Sequence, residues 1–420
     1  MMPRLRSLVL LVLVCGVAPA EDWPQWLGPR RDGSSREKVS PWKEAPKVLW
    51  RQPVGEAHSS PIVADGKVFL HTKVKGKNAE EVAAYEADSG KPLWAKQYDR
   101  GPLHKGFITL FGVGPRSSPT FHDGKLYTFG VTGHLICWDA KDGKQLWGVD
   151  TAKDFSPPPL GFGVSCSPLI EGDDVLVNVG AKLASIVAFN KESGKVHWSS
   201  LADPPSYSSP IAFGEGKSRQ AVFLTGDGLV SVSPADGKLF WRVPLKDELA
   251  ESSTTPVKVG DEFVFILGSS VTFGSLGARL GTKDGKPAAE QVWRNRALTC
   301  YFSTPVPVGK VHVYMVTGAP PGRGTSILRC VEVKSGKELW KKERVGLFHA
   351  SLLRTADGKL LMLEDFGNLA LIDPNPEGYR ELARSNKVCR STWAHPALSN
   401  GRLYLRDNTE LICLQLGEGK

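Results

Sequence analysis

The 420-residue sequence has few cysteines and none of the short motifs that mark common active sites. Its seven cysteines include no adjacent pair and no CxxC, so no zinc-ribbon or thioredoxin-like site is predicted. HExxH, GxSxG and GxGxxG are absent, which excludes the usual zinc-protease, hydrolase and dinucleotide-binding signatures. The net charge is +9 without any Lys/Arg run or recognition-helix pattern, so we predict no nucleic-acid partner.

A short phrase ending in tryptophan recurs along the chain, and each copy predicts the same hairpin. A glycine four residues before the tryptophan closes a tight turn between two apolar runs. The clear copies, such as DSGKPLW at 88–94, end at Trp94, Trp147, Trp198, Trp241 and Trp340. Weaker copies end at Trp293, after a longer turn, and at Leu382.

A second recurring feature is a small residue followed by proline, as in SSPIVADGKVFL from Ser59. Each such opening begins an alternating apolar run, a glycine turn and a second alternating run, which predicts two strands. One repeat therefore holds four strands, and the hairpin copies lie 42 to 53 residues apart. This period is typical of one propeller blade per repeat, and eight openings are present when an imperfect copy is included.

The last repeat lacks a fourth strand of its own, and the N-terminal region supplies it. VLWRQPV at 48–54 matches LFWRVPL at 239–245 almost residue for residue. Because blades bury their faces only against neighbours, a closed ring is the stable arrangement. The sequence thus predicts an all-β, eight-bladed propeller of four-stranded blades over residues 47–416, with residues 47–54 completing the last blade.

The segments outside the repeats predict an exported protein with an N-terminal arm before the first repeat. Residues 1–20 carry Arg4, Arg6, an apolar run and a small-x-small end, which is typical of a secretory signal. We expect a periplasmic or secreted chain without a membrane span, mature from about Glu21, and no lipidation at Cys15. Residues 21–46 form an arm with three tryptophans that we expect to lie across blade edges; a partner-binding peptide is the alternative. Residues 417–420 are a polar tail.

The six cysteines beyond residue 20 fall into two groups. Cys137, Cys330 and Cys413 occupy matching strands of different repeats, which favours small buried thiols. Cys166, Cys300 and Cys389 lie at or before innermost strands, so a disulfide between neighbouring elements is possible, although the sequence cannot assign one.

The glycine-to-tryptophan turns, the small-Pro openings and the start DWPQWLGPRRDG together resemble the pyrroloquinoline-quinone-like (PQQ-like) propeller repeat proteins. That family includes relatives of the outer-membrane assembly factor BamB and of the quinoprotein alcohol dehydrogenases. The resemblance implies that a tryptophan of one blade stacks on the turn of the next. The tryptophans that would dock blades are Trp50, Trp94, Trp147, Trp198, Trp241, Trp293 and Trp340.

The dehydrogenase branch of that family implies features that this chain does not carry. Those enzymes are usually longer, often place an adjacent cysteine pair against the quinone, and bind calcium beside a catalytic Asp. The chain has no such pair and no insertion for a calcium cluster; DPNPEG at 373–378 has Arg384 where a calcium loop needs its last ligand. We therefore predict no catalytic residue, metal ligand or cofactor, with PQQ and calcium as the alternative.

A site, if present, is expected where the inner strands begin and the inter-blade loops gather. The longest loops, at 99–116 and 151–165, would bring Phe111 and Phe162 to one rim. The residues expected at the channel mouth are His58, Arg116, Ser165, Tyr207, Ser253, Phe302, His349 and Trp393. A water-filled channel is the favoured interpretation, and a site for a planar or sugar ligand with an anionic group is the other.

These observations predict a non-catalytic, monomeric scaffold that binds other envelope proteins or polymers. This functional interpretation rests on fold analogy. A quinone-dependent dehydrogenase acting on an alcohol or sugar is the first alternative, and an envelope glycan-binding module is the second.

Overall fold

The computed structural model describes residues 21–247, 251–260, 265–270, 274–300, 303–318 and 325–416. The predicted signal peptide with Cys15, the channel-mouth residue Phe302 and the polar tail lie outside these residues. Among the described residues, no helix has the length and apolar character needed to span a membrane.

The chain forms eight four-stranded antiparallel sheets, which confirms the predicted eight-bladed propeller. We number the blades in chain order and name the first strand of each blade the inner strand. Only one short α-helix, α1 (Thr151–Phe155), and one 3-10 turn, Gly216–Ser218, interrupt the strands described.

The strands of the first four blades follow the closing strand β1 (Val48–Pro53). Blade 1 consists of β2 (Ile62–Ala64), β3 (Lys67–Lys73), β4 (Ala79–Glu86) and β5 (Pro92–Asp99). Blade 2 consists of β6 (Thr120–His122), β7 (Lys125–Phe129), β8 (His134–Asp139) and β9 (Gln145–Asp150). Blade 3 consists of β10 (Leu169–Glu171), β11 (Asp174–Ala181), β12 (Ala184–Asn190) and β13 (Val196–Ser200). Blade 4 consists of β14 (Ile211–Phe213), β15 (Gln220–Thr225), β16 (Gly228–Val232) and β17 (Leu239–Pro244).

The remaining blades repeat the same order. Blade 5 consists of β18 (Val257–Val259), β19 (Phe265–Ser270), β20 (Gly274–Lys283) and β21 (Lys286–Asn295). Blade 6 consists of β22 (Val306–Val308), β23 (His312–Thr317), β24 (Ile327–Glu332) and β25 (Glu338–Glu343). Blade 7 consists of β26 (Ala350–Arg354), β27 (Leu360–Glu364), β28 (Leu369–Asp373) and β29 (Arg380–Ser385). Blade 8 consists of β30 (Ala397–Ser399), β31 (Arg402–Arg406) and β32 (Glu410–Gln415), with β1 as its outer strand.

The N-terminal strand closes the ring, as the repeat pattern predicts. Strand β1 pairs antiparallel with β32, with Val48 opposite Leu414 and Pro53 opposite Glu410. The indole of Trp50 then continues across to blade 1, where its Nε1 donates to the carbonyl of Ala87 at 3.0 Å. The two ends of the chain thus share one sheet, which leaves no blade without a neighbour.

Five of the recurring turns make a close contact between a glycine and the tryptophan of the preceding blade. Gly194 has φ +69°, and a Cβ there would lie 2.6 Å from Cε3 of Trp147. The Trp147 Nε1 donates to the carbonyl of Lys191 in the same turn at 2.9 Å. Glycine is required both for the left-handed backbone and for the indole to approach. The same contact joins Trp50 to Gly90, Trp94 to Gly143, Trp198 to Gly237 and Trp293 to Gly336.

Two tryptophans, Trp241 and Trp340, precede imperfect copies of the turn and dock differently. The predicted stacking of Trp241 on a turn glycine does not occur, because β20 and β21 are ten residues long and carry their turn outward. Trp241 Nε1 instead donates to Gln220 Oε1 of its own blade at 2.9 Å, while its ring packs on the blade 5 strands. Trp340 donates to the carbonyl of Asn375 at 2.8 Å and contacts the ring of Tyr379.

The hydrophobic core is divided into layers between blades. One layer, for example, joins Phe69 and Val82 of blade 1 to Leu126 and Trp138 of blade 2.

All six cysteines among the described residues are buried and free, so the possible disulfide within the group Cys166, Cys300 and Cys389 is not formed. Burial raises the pKa of the Cys166 thiol to about 11, which leaves it protonated at neutral pH.

The N-terminal arm crosses the channel, whereas the sequence predicted that it would lie on blade edges. It contacts all eight blades near their inner strands, at the end of the channel opposite the predicted mouth. The expectation holds only for Trp42, whose Nε1 donates to Ser385 Oγ on the outer strand of blade 7. The blade residues that the arm contacts are, in blade order, Val63, Phe121, Ser167, Pro210, Thr255, Val306, Arg354 and Asn400. The arm residues that make these contacts are Trp23, Pro24, Trp26, Arg31, Gly33, Ser35 and Glu37.

The contact between Gly194 and Trp147 predicts a difference between two glycine substitutions. Gly194→Ala should lower the free energy of unfolding by about 1–3 kcal/mol more than Gly285→Ala, because only the first methyl group collides with an indole. Gly285 is the matched control: its φ is +71°, and a Cβ there would meet no atom within 4 Å. Equal losses for the two variants in chemical denaturation would show that the indole contact does not hold the blades together.

Candidate functional site

The small-Pro openings form a ring of hydrogen bonds around the start of the channel. The backbone N–H of an opening residue in one blade donates to the hydroxyl of its counterpart in the next blade. This geometry explains why the openings need small hydroxyl residues. The bonds run from Ser60 to Ser118 (3.0 Å), Ser118 to Ser167 (2.9 Å), Ser167 to Ser209 (2.9 Å), Thr255 to Thr304 (3.3 Å) and His395 to Ser60 (2.9 Å).

A cavity of about 100 Å³, which we call the mouth cavity, lies above this ring. Eight of the residues expected at the mouth or rim line it: His58, Phe111, Arg116, Phe162, Ser165, Tyr207, Ser253 and Trp393. His349 does not line the cavity and lies behind Trp393, with their ring centroids 5.8 Å apart. The sequence did not predict five further lining residues, which are Trp26, Ser167, Ser209, Glu251 and Thr304.

The arm forms the floor of the mouth cavity. Trp26 reaches through the channel, and its Nε1 donates to Thr255 Oγ1 at 2.8 Å. Arg31 is buried behind it, where its guanidinium donates to the carbonyls of Ser167, Pro168 and Pro210. The concentration of tryptophan and arginine in the arm was the one sequence signal that could have suggested this role.

One wall of the mouth cavity is an aromatic cluster. The Trp393 ring lies 5.1 Å from the rings of both His58 and Phe111, and 5.8 Å from that of Phe348. Phe111 also contacts Phe162, which connects the rims of the two long loops. Most of the indole surface of Trp393 is therefore covered by the protein's own rings, which leaves little of it for a stacked ligand.

The opposite wall carries Arg116 and Tyr207. The Arg116 guanidinium lies 5.4 Å from the ring centre of Phe107 and 5.9 Å from that of Phe162, and it donates to two backbone carbonyls of its own loop. Burial lowers its pKa to about 10, so it remains charged at neutral pH. The Tyr207 hydroxyl accepts the backbone N–H of Phe162 at 3.1 Å, and burial raises its pKa to about 12.

His58 is held as a neutral donor. Its Nε2 lies 2.6 Å from the carbonyl oxygen of Phe111, so this nitrogen carries the hydrogen. Burial, followed by the positive charge of Arg116, lowers the pKa of His58 to about 3. Burial also lowers the pKa of His349. Neither imidazole is set up to accept a proton at neutral pH, which argues against a role as general base.

The described residues do not fit PQQ with calcium. None of them form a group of three or more His, Cys, Asp or Glu side chains that could hold a metal ion. The mouth cavity is also smaller than the roughly 300–1,000 Å³ typical of small-molecule sites, and Trp26 closes it from below. Arg116 and Glu251 are its only charged lining residues in the described part of the chain.

The lowered pKa of His58 predicts acid sensitivity. Since the folded-state pKa lies below the unfolded value of about 6.5, the unfolded chain binds more protons, and stability falls as the pH drops below about 6.5. Lowering the pH from 7 to 5 should cost up to about 2 kcal/mol through this residue. His58→Gln, which can still donate to Phe111, should reduce that loss in denaturation curves at the two pH values.

His197→Gln is the control for this measurement. The exposed His197 imidazole bonds Asp174 Oδ2 at 2.8 Å, which raises its pKa, so its removal should not reduce acid sensitivity. An unchanged pH dependence in His58→Gln would contradict the assignment of a neutral, half-buried imidazole at position 58.

Comparison with known proteins places these features in a family. A family model described as "Outer membrane protein assembly factor BamB" matches residues 33–111 and 78–342. Among solved structures, BamB from Moraxella catarrhalis superposes with a TM-score of 0.58 and 15% identity, covering 90% of this chain and 99% of that one. Quinohemoprotein alcohol dehydrogenase from Comamonas testosteroni gives a TM-score of 0.63 at 14% identity, covering 95% and 81%.

Curated relatives come from the quinoprotein dehydrogenases. The quinohemoprotein alcohol dehydrogenase ADH IIB of Pseudomonas putida is 27% identical over 300 residues, covering 61% of this chain and 42% of the relative. The dehydrogenase subunit of a quinone alcohol dehydrogenase from Komagataeibacter europaeus is 29% identical over 163 residues, covering 36% and 20%. The chain thus spans less than half of the length of these relatives. The family model covers most of the chain, and the protein belongs to the BamB family within the PQQ-like β-propeller superfamily.

Proposed function

We propose that this protein is a non-catalytic, protein-binding scaffold of the cell envelope, exported to the periplasm and acting as a monomer. The observation that carries the proposal is the plugged channel. Trp26 and Arg31 occupy the space in which a ring-shaped protein would hold a central ligand, and their hydrogen bonds tie them to blades 3, 4 and 5. We therefore place the binding surface on the outside of the ring, at the mouth face.

Apolar side chains on that face support a protein partner. Leu110 is 79% exposed at the tip of the first long loop, and Phe366 is 53% exposed on a turn of blade 7. The two flank one aromatic cluster, since Phe111 and Phe348 contact each other with ring centroids 6.4 Å apart. Exposed apolar groups held on a rigid ring are typical of protein interaction sites.

The loop that carries Leu110 and the segment beside Phe366 are both held in place by hydrogen bonds from backbone N–H groups to a carboxylate. The Glu56 carboxylate accepts the N–H of Val113 at 2.6 Å at the base of the long loop. The Asp365 carboxylate accepts the N–H groups of Leu347 and Phe348 at 2.9 and 2.7 Å beside Phe366. A pre-ordered surface loses less conformational entropy when a partner binds, which favours a specific contact.

Quinone-dependent oxidation is the alternative, and it rests on the curated relatives. The geometry of the mouth cavity weighs against it, because the arm closes the channel and His58 is not basic. Glycan binding is weaker still, because the rings of His58 and Phe111 cover Trp393 and the backbone N–H of Phe162 donates to the Tyr207 hydroxyl.

A calorimetric titration separates the scaffold from the dehydrogenase. Residues 21–420, titrated with PQQ in the presence and absence of calcium, should give no saturable heat, because the channel centre is filled. Saturable, calcium-dependent binding would overturn the scaffold proposal and would require the arm to leave the channel.

Site-specific photocrosslinking tests the proposed binding surface directly. A photoreactive phenylalanine analogue at position 110, in the cells that produce the protein, should give an adduct of discrete mass with an envelope protein. Phe366→Ser should weaken that adduct, because it removes the second exposed apolar group. The matched control is position 311, where Val311 is 52% exposed on the opposite face. Equal adducts from both positions would contradict a binding surface on the mouth face.

A further inference from the structure

The exposed charges on the mouth face carry mostly one sign. Because the strands of a blade run antiparallel, the loops between blades and the turns between second and third strands lie at the mouth, and the turns between third and fourth strands lie at the opposite end. Among the described residues of the mouth-face loops and turns, Asp154 is the one exposed acidic residue. Exposed lysines and arginines occur around the whole face, for example Lys77, Lys153, Lys246 and Arg296.

The opposite face does not share this bias. Its hairpin turns place exposed acidic and basic residues side by side, as at Asp142 and Lys144 in blade 2 and at Glu192 and Lys195 in blade 3. The excess of positive charge is therefore a property of the mouth face. A surface potential of one sign attracts a partner of the opposite sign before the two make contact.

Phe366 is the exposed aromatic residue that lies directly beside two of these cations. Its turn packs on the loop that enters blade 8: the N–H of Val388 donates to the carbonyl of Gly367 at 2.8 Å, and the N–H of Lys387 donates to Asn368 Oδ1 at 3.1 Å. Arg390 follows in the same loop. We call Phe366, Lys387 and Arg390 the Phe366 patch. The hydrogen bonds hold the backbone of the patch in place, so the apolar ring and the two cations form one ordered surface.

The aspartates beneath the patch are buried and bind the backbone instead of the cations. Asp365 and Asp407 are each 2% exposed. Asp365 accepts the N–H groups of the loop before blade 7, as described above. Asp407 Oδ2 accepts the backbone N–H of Arg390 at 3.1 Å, and its Oδ1 accepts the N–H of Thr409 at 2.7 Å. These carboxylates therefore order the loops and do not lie on the surface.

The remaining carboxylates near the patch are paired with other arginines. Glu364 Oε1 lies 2.9 Å from Arg384 Nη1, and Glu410 Oε2 lies 3.0 Å from Arg51 Nη1. The side chains of Lys387 and Arg390 are exposed and make no hydrogen bond or ion pair with any residue that the structure describes. The patch thus presents two uncompensated positive charges beside an exposed aromatic ring.

We propose that the protein partner docks on the Phe366 patch through an acidic segment. An apolar side chain of that segment contacts Phe366, and its carboxylates pair with Lys387 and Arg390. The planar guanidinium of Arg390 can bind a carboxylate with two parallel hydrogen bonds. This inference names the chemistry of the partner and rests on the proposed scaffold function. An anionic lipid surface is the other occupant with matching charge, but it would use cations around the whole face and would not depend on these two.

Charge reversal combined with photocrosslinking tests the proposal. With the photoreactive phenylalanine analogue at position 110 as the reporter, Lys387→Glu with Arg390→Glu should lower the yield of the protein adduct roughly fivefold to tenfold, because two attractions become repulsions. Lys387→Arg with Arg390→Lys keeps both charges and should keep the yield. The matched control is Lys144→Glu with Lys195→Glu on the opposite face, which should also leave the yield unchanged. An unchanged yield after reversal at 387 and 390, or an equal loss in the control, would overturn the proposal.

The crosslinked segment itself gives a second readout. The analogue placed at position 366 should attach to a partner peptide that mass spectrometry shows to contain more Asp and Glu than Lys and Arg. A neutral or basic peptide, or an adduct with the mass of a lipid, would overturn the proposal. Failure of this inference is distinguishable from failure of the scaffold function: a protein adduct that ignores the charge changes contradicts only the acidic segment, whereas no protein adduct at position 110 in the parent contradicts both.

Discussion

The contact between a turn glycine and an indole is the interaction on which the rest of the ring depends. In the contact between Gly194 and Trp147, the left-handed glycine supplies both the turn and the open surface that the indole covers. The indole N–H then satisfies a backbone carbonyl of that turn. One such pair connects a hairpin to the neighbouring blade. The five pairs of this kind therefore fix the distance between most neighbouring blades of the ring.

The N-terminal arm adds a second constraint at the centre. The inner strands surround a channel at the centre of the ring, and the arm fills part of it. Trp26 supplies apolar volume, and the Arg31 guanidinium donates to the carbonyls of Ser167 and Pro168 where the inner strand of blade 3 begins. With the centre filled in this way, we place the proposed binding surface on the loops of the mouth face.

The sequence predicted the fold well because its main signals are local. Each glycine-to-tryptophan phrase specifies its own hairpin, and the copy at 48–54 specified the closing strand. Trp241 packs on the strands of blade 5 rather than on a turn glycine, because the long hairpin of blade 5 moves the turn away from it. The rim residues Phe111 and Phe162 could be predicted from loop length, but Trp26 and Phe348 could not. Their positions depend on the path of the arm and on contacts between distant loops, which no local pattern encodes.

The closing strand and the arm also impose an order on assembly. Val48 pairs with Leu414, and the Glu37 carboxylate accepts the N–H of Asn400. The N-terminal arm and β1 can therefore reach their folded positions only after blade 8 has formed. Contacts between such distant residues carry a high loop-closure entropy and slow folding. During synthesis, the arm and β1 remain without their partners until the eighth blade is complete, and only then can the ring become a single cooperative unit.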